Sequence, residues 1–119
     1  MSGPHVLIVE DSADQLLLLR KYFERAGCTV DTADSAESAL SLQSDPHPTI
    51  AVLDLLLPGM DGTKLALEIR DRYPECAIVI TSVLDPESYP AADAVLPKPV
   101  TGRDVRRVIA EFASERNAS

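Results

Sequence analysis

The chain has 119 residues, a length suited to a single domain over residues 1–119 with a core of about 5–115, and its 45% hydrophobic, 25% charged composition is that of an ordinary globular protein. A net charge of −8 disfavours direct binding to phosphate backbones, and three Tyr, two Phe and no Trp leave little for an aromatic platform on single-stranded nucleic acid. No apolar run is long enough to span a bilayer and the first residues lack the basic region of a signal peptide, so a cytoplasmic location without membrane or nucleic-acid contact is expected.

His5 to Val9 is an uninterrupted apolar run ending at Glu10 and Asp11, the pattern of a strand covered on both faces. A helix is predicted from about Ala13 to Ala26. Leu16, Leu19, Phe23 and Ala26 share one face, and Gly27 is its stop. Cys28 to Ala33 reads as a short strand. Asp34 and Glu37 form a capping pair for a small helix with Ala36, Ala39 and Leu40 inward, broken by Asp45, Pro46 and Pro48. Thr49 to Leu53 is a second fully buried strand ending at Asp54. Pro58, Gly59 and Gly62 punctuate a loop, and a helix carrying Leu65 and Ile69 runs to about Tyr73, before Pro74.

Ala77 to Ile80 is a further buried strand ending at Thr81. Pro86 and Pro90 limit the stretch from Ser82 to Ala94 to about one helical turn. Asp93 to Leu96 is the fifth strand. Thr101 and Asp104 cap a last helix that runs to about Glu115, with Val105, Val108, Ile109 and Phe112 at i, i+3, i+4 and i+7. The tail from Asn117 to Ser119 is expected to fray. Strands alternating with helices predict a parallel sheet with right-handed crossovers.

Functional side chains in such a sheet gather beyond the carboxyl ends of the strands. Here those ends carry Glu10 and Asp11, then Asp54, then Thr81, then Lys98. Three converging carboxylates repel one another unless a cation neutralises them, and hard oxygen donors suit Mg²⁺. With a Lys charge and a Thr hydroxyl added, the set suits phosphoryl chemistry, in which a carboxylate can itself be the nucleophile. Each residue also has a plainer role. Asp11 and Ser12 can cap the first helix, Asp54 can end a strand, Thr81 is a common strand residue, and Lys98 can be a solvated surface cation.

The segments VLIVEDS, VLDLLLPGMDG, IVITS and LPKPV, in this order and spacing, resemble the receiver domains of bacterial response regulators over nearly the whole chain. The resemblance implies a flavodoxin-like α/β three-layer sandwich with a five-stranded parallel sheet of order 2-1-3-4-5. It implies a signalling switch, not an enzyme proper, whose chemistry is limited to autophosphorylation and self-dephosphorylation. The switch accepts a phosphoryl group from a histidine kinase or phosphotransfer protein and acts on an effector protein as a monomer or weak homodimer. Position by position, it implies Glu10 and Asp11 as the acidic Mg²⁺ pair and Asp54 as phosphoacceptor and metal ligand. Leu56 would complete the metal site through its backbone carbonyl. Thr81 would be the switch hydroxyl, and Lys98 the partner of the phosphoryl group, followed by a Lys98–Pro99 bond that is usually cis in the family. Leu56 and Val83 fall where the family flanks the attacking water, so slow self-dephosphorylation is expected.

The chain departs from the family pattern in two places. Val95 stands where the family usually has its switch aromatic, and the short, Pro-containing stretch between Thr81 and Lys98 implies a fourth helix that is truncated or missing. Both favour an alternative, a phosphorylation-independent interaction module on the same fold. A phosphatase of the haloacid dehalogenase type wants a second Asp two residues after the nucleophile, where this chain has Leu56. Without an output domain, the chain is expected to act through other proteins or to be a piece of a longer regulator. Cys28 and Cys76 read as free buried thiols of a reducing compartment, a disulfide or redox site being the other reading. His5 and His47 read as solvated. Arg103, Arg106 and Arg107 read as a solvated face that an acidic partner could meet.

Overall fold

The computed structural model describes residues 3–42, 47–54, 57, 62–82 and 92–117. Nine elements follow in chain order: β1 (His5–Val9), α1 (Ala13–Arg25), β2 (Thr29–Ala33), α2 (Ala36–Ser41), β3 (Ile50–Asp54), α3 (Gly62–Arg72), β4 (Ala77–Ser82), β5 (Ala94–Pro97) and α4 (Gly102–Asn117). The five strands are parallel, in the order β2-β1-β3-β4-β5.

Successive strand residues point to opposite faces of a sheet. In this sheet both faces are covered, which is why β1 and β3 are apolar without alternation and buried throughout. Leu7, Val9, Ala51, Leu53, Ile78 and Ile80 pack with Ala36 and Ala39 of α2 and Leu65, Ala66 and Ile69 of α3. Val6, Ile8, Ile50, Val52, Val79 and Leu96 pack with Leu19 and Phe23 of α1 and Val105 and Val108 of α4. Because β1 leads outward to β2 through α1, while β2 returns to β3 through α2, the direction of winding reverses between β1 and β3. Clefts in open parallel sheets form at that reversal.

Local chemistry sets the element ends. The Ser12 hydroxyl accepts from Gln15 N–H and caps α1. Gly27, at φ +95°, ends it in a left-handed conformation that glycine adopts without penalty, its N–H donating to Glu24 O. Ala26 is the exposed C-cap and does not belong to the buried face expected of it. α2 is capped by Ser35, whose hydroxyl accepts from Ser38 N–H. The expected cap, Asp34, instead accepts from the Ser38 hydroxyl. Cys28 N–H is used in closing α1 onto Phe23 O, so β2 begins one residue later than expected.

β5 also begins one residue late. Asp93 N–H donates to Ile78 O at 2.8 Å while its carboxylate accepts from Ile78 N–H at 2.8 Å and holds the Arg70 guanidinium at 3.1 Å, so backbone and side chain together tie it to β4. β4 runs on to Ser82 and α4 to Asn117, each beyond its expected end. Cys28 and Cys76 are free and buried, as expected, and burial pushes the Cys28 thiol up to about 11. His5, expected to be solvated, is buried, with Nδ1 2.7 Å from Thr29 Oγ1 and Nε2 2.9 Å from Asp31 Oδ2. His47 is exposed and packs its ring against Tyr73 at 5.0 Å. The stretch in which a truncated fourth helix was expected lies outside the described residues at 83–91, as do Leu56 and Val83.

Candidate functional site

The site follows from strand register. Val9 pairs with Leu53, so Asp54 ends β3 level with Glu10, the residue just beyond β1. Asp54 in turn pairs with Thr81 on β4. Glu10 N–H donates to Ala33 O, which ties the end of β1 to β2 before the chain turns through Asp11 into α1. Lys98 enters from beyond β5, just before the cis Lys98–Pro99 bond. Three adjacent strand ends and the residue after a fourth strand therefore deliver all the described candidates to one cleft.

Carboxylate oxygens of Glu10, Asp11 and Asp54 lie within 4.8 Å of one another. Asp11 is exposed, whereas Glu10 and Asp54 are buried. Lys98 Nζ stands 3.5 Å from Asp54 Oδ2 and 3.6 Å from Glu10 Oε1, its stem covered and its charge neutralising part of the cluster. Glu10 Oε2 accepts from Ser12 N–H at 3.1 Å. Ser12 thus does two jobs, capping α1 with its hydroxyl and holding Glu10 with its amide.

Glu10 is raised to about 7. Burial, which penalises the charged form, is the main cause. The Ser12 N–H opposes it, neighbouring Asp54 adds to it, and Lys98 offsets part of it. Two buried polar atoms, Glu10 Oε1 and Thr81 Oγ1, make no hydrogen bond among the described residues. Buried polar atoms are ordinarily hydrogen-bonded, so a carboxylate oxygen whose nearest counter-charge is Lys98 Nζ at 3.6 Å, beside two other carboxylates, fits a site shaped for a further cation. The donor set is all oxygen, which suits a hard divalent ion.

Five of the six expected site residues thus converge: Glu10, Asp11, Asp54, Thr81 and Lys98. The sixth, Leu56, lies outside the described residues. The role of the Ser12 amide went unread, because a backbone donor carries no residue-type signal.

The family model for the response regulator receiver domain matches residues 6–110. The chain is 36% identical over 107 residues to the transcriptional regulatory protein AfsQ1 of Streptomyces coelicolor, covering 84% of this chain and 47% of that protein. It is 30% identical over 106 residues to the alkaline phosphatase synthesis transcriptional regulatory protein PhoP of Bacillus subtilis, covering 84% and 44%. Among solved structures, a CheY-like receiver domain protein from Methanospirillum hungatei superposes with a TM-score of 0.86 at 26% identity, covering 98% of each chain. The chain spans less than half the length of the curated relatives it matches.

Proposed function

This chain belongs to the response regulator receiver domain family of two-component signal transduction, and from that premise we propose that Asp54 is its phosphoacceptor, assisted by Lys98 and Thr81 beside a Mg²⁺ site of Glu10, Asp11 and Asp54. Receiver domains are signalling switches that work with histidine kinases or phosphotransfer proteins and with effector domains. The observation that carries the assignment is the convergence on Asp54: Lys98 Nζ at 3.5 Å and two further carboxylates whose oxygens lie within 4.8 Å.

In the proposed step a carboxylate oxygen of Asp54 attacks the phosphorus of a phosphohistidine. The P–N bond breaks, its electron pair returns to the imidazole nitrogen, and an acyl phosphate is left on Asp54. A divalent cation held by Glu10, Asp11 and Asp54 would supply charge neutralisation for the phosphoryl oxygens. Lys98 shares that task from the protein side, since its ammonium already faces the Asp54 carboxylate. Thr81 supplies a hydroxyl whose oxygen has no partner among the described residues, leaving its proton available to a phosphoryl oxygen.

The product carries close to two negative charges near neutral pH, which draw Thr81 and Lys98 inward. Thr81 lies next to the end of β4, so that pull is delivered to the start of the segment that follows. Val95, partly buried against the α2 and α3 side of the core, has no ring to follow the Thr81 hydroxyl. Output therefore runs through the backbone after β4. Val95 also favours the second reading, an interaction module that needs no phosphorylation. Peptide mapping after transfer from a phosphorylated histidine phosphotransfer protein tests the assignment: phosphate on the peptide containing Asp54 supports it, and phosphate elsewhere or none refutes it.

A further inference from the structure

α1 and α4 lie side by side on one face of the sheet, and their adjoining surface is basic in a chain whose net charge is −8. α1 brings Arg20, Lys21 and Arg25, and α4 brings Arg103, Arg106 and Arg107. The same helices carry the carboxylates Asp14 and Glu24 on α1 and Asp104 and Glu111 on α4; Glu24 pairs with Arg20 at 3.2 Å and Asp104 with Arg107 at 3.7 Å. Lys21, Arg25, Arg103 and Arg106 make no ion pair among the described residues. Of these, Arg25 and Arg106 stand together across the two helices, each exposed.

Between the two helices lies a cavity of about 150 Å³, lined by Tyr22, Arg25, Ala26, Gly102 and Arg106. Gly102, the first residue of α4, lines it, and its φ is not positive, so the backbone there does not call for glycine. A side chain at position 102 would place its first carbon 3.2 Å from Arg106 Nη1 and 3.6 Å from the Tyr22 ring. The pocket is thus an aromatic wall with an arginine on either helix, a setting matched to a carboxylate, which a planar guanidinium binds in two-point fashion.

We propose that the α1–α4 face is a docking surface for an acidic segment of a partner protein, one carboxylate of which seats between Arg25 and Arg106 against Tyr22. Charge complementarity selects the occupant. The basic area is local and the rest of the chain is strongly acidic, so a short acidic segment meets only the cations, whereas a long polyanion such as DNA would also meet the repelling remainder. The surface does not depend on Asp54 or on phosphorylation.

The test is a titration of the ¹⁵N-labelled full chain with a capped oligoglutamate peptide at low ionic strength, read by amide shifts and by fluorescence anisotropy of the labelled peptide. Shifts are expected at Tyr22, Arg25, Gly102 and Arg106, with binding lost at about 1 M salt, where screening acts within about 3 Å. Arg25→Ala with Arg106→Ala should weaken binding about tenfold, on the order of threefold per exposed charge pair. Gly102→Ala, which keeps every charge but crowds Arg106 and Tyr22 in the pocket, should also weaken it, while Lys64→Ala on α3 should not. The proposal is overturned if the peptide does not bind, if the double substitution leaves its affinity unchanged, or if a short DNA duplex binds more tightly through the same arginines.

Discussion

Asp54 and Thr81 face each other across the β3–β4 ladder, one supplying a buried carboxylate and the other a buried hydroxyl whose oxygen has no hydrogen bond among the described residues. That position puts the hydroxyl where an oxygen of a phosphoryl group on Asp54 would meet it.

Thr81→Val keeps the side-chain shape and removes the orphaned hydroxyl. Urea denaturation is expected to show unchanged stability or a gain of about 1 kcal/mol. Phosphorylation of the same variant should still occur but produce a smaller change in amide shifts after β4. A loss of more than about 1 kcal/mol would mean that the hydroxyl has a structural partner.

Glu10 gives a pH signature in metal-free protein. Its carboxyl, ordinarily near 4.5, is raised to about 7, chiefly by burial. Between those values the folded chain holds a proton at Glu10 that the unfolded chain has released. Stability conferred by that proton is present at low pH and is lost as pH rises through about 7. The size is of order 3 kcal/mol. Urea midpoints measured in a chelator should fall across this range for wild type, and the fall should be shallower for Glu10→Gln. Parallel curves would contradict the assignment of burial as the cause.

Divalent cation should reverse that trend, because binding requires the carboxylates deprotonated. At about a hundredfold excess over Kd, Mg²⁺ is expected to stabilise the fold by about 2.7 kcal/mol, seen as a rise in Tm of several degrees that a chelator removes. Asp11→Asn should lose most of this rise with little change in metal-free Tm, since Asp11 is exposed. An undiminished rise in that variant would place the ion elsewhere.

Asp93 is expected to matter for stability and not for phosphoryl chemistry. Asp93→Ala removes the acceptor of Ile78 N–H and the partner of Arg70, and should cost about 2 kcal/mol in denaturant unfolding. Asp93→Asn, which retains an acceptor oxygen, should cost less. An equal cost for both would show that charge, not the hydrogen bond, holds β5 in place.

The sheet was legible because β1, β3 and β4 are apolar on both faces, and a doubly covered parallel strand leaves that trace in sequence. The convergence of Glu10, Asp11, Asp54 and Thr81 was legible because each follows or ends such a strand, and Lys98 because it follows the short fifth strand. Ends fixed by side-chain bonding to the backbone were not. Asp34 and Ser35 are both acceptable caps, and only the turn geometry favours Ser35. Asp93 reads as a strand residue until its carboxylate is seen on Ile78 N–H. His5 reads as solvated because its partners, Thr29 and Asp31, are more than twenty positions away and arrive only through the β1–β2 pairing.

The most direct test of the central claim is intact mass after incubation with acetyl phosphate, with and without Mg²⁺, for wild type and Asp54→Asn. A single phosphoryl adduct on wild type, dependent on Mg²⁺ and absent from Asp54→Asn, is the predicted result. No adduct on folded wild type in Mg²⁺, or an equal adduct on Asp54→Asn, would contradict it.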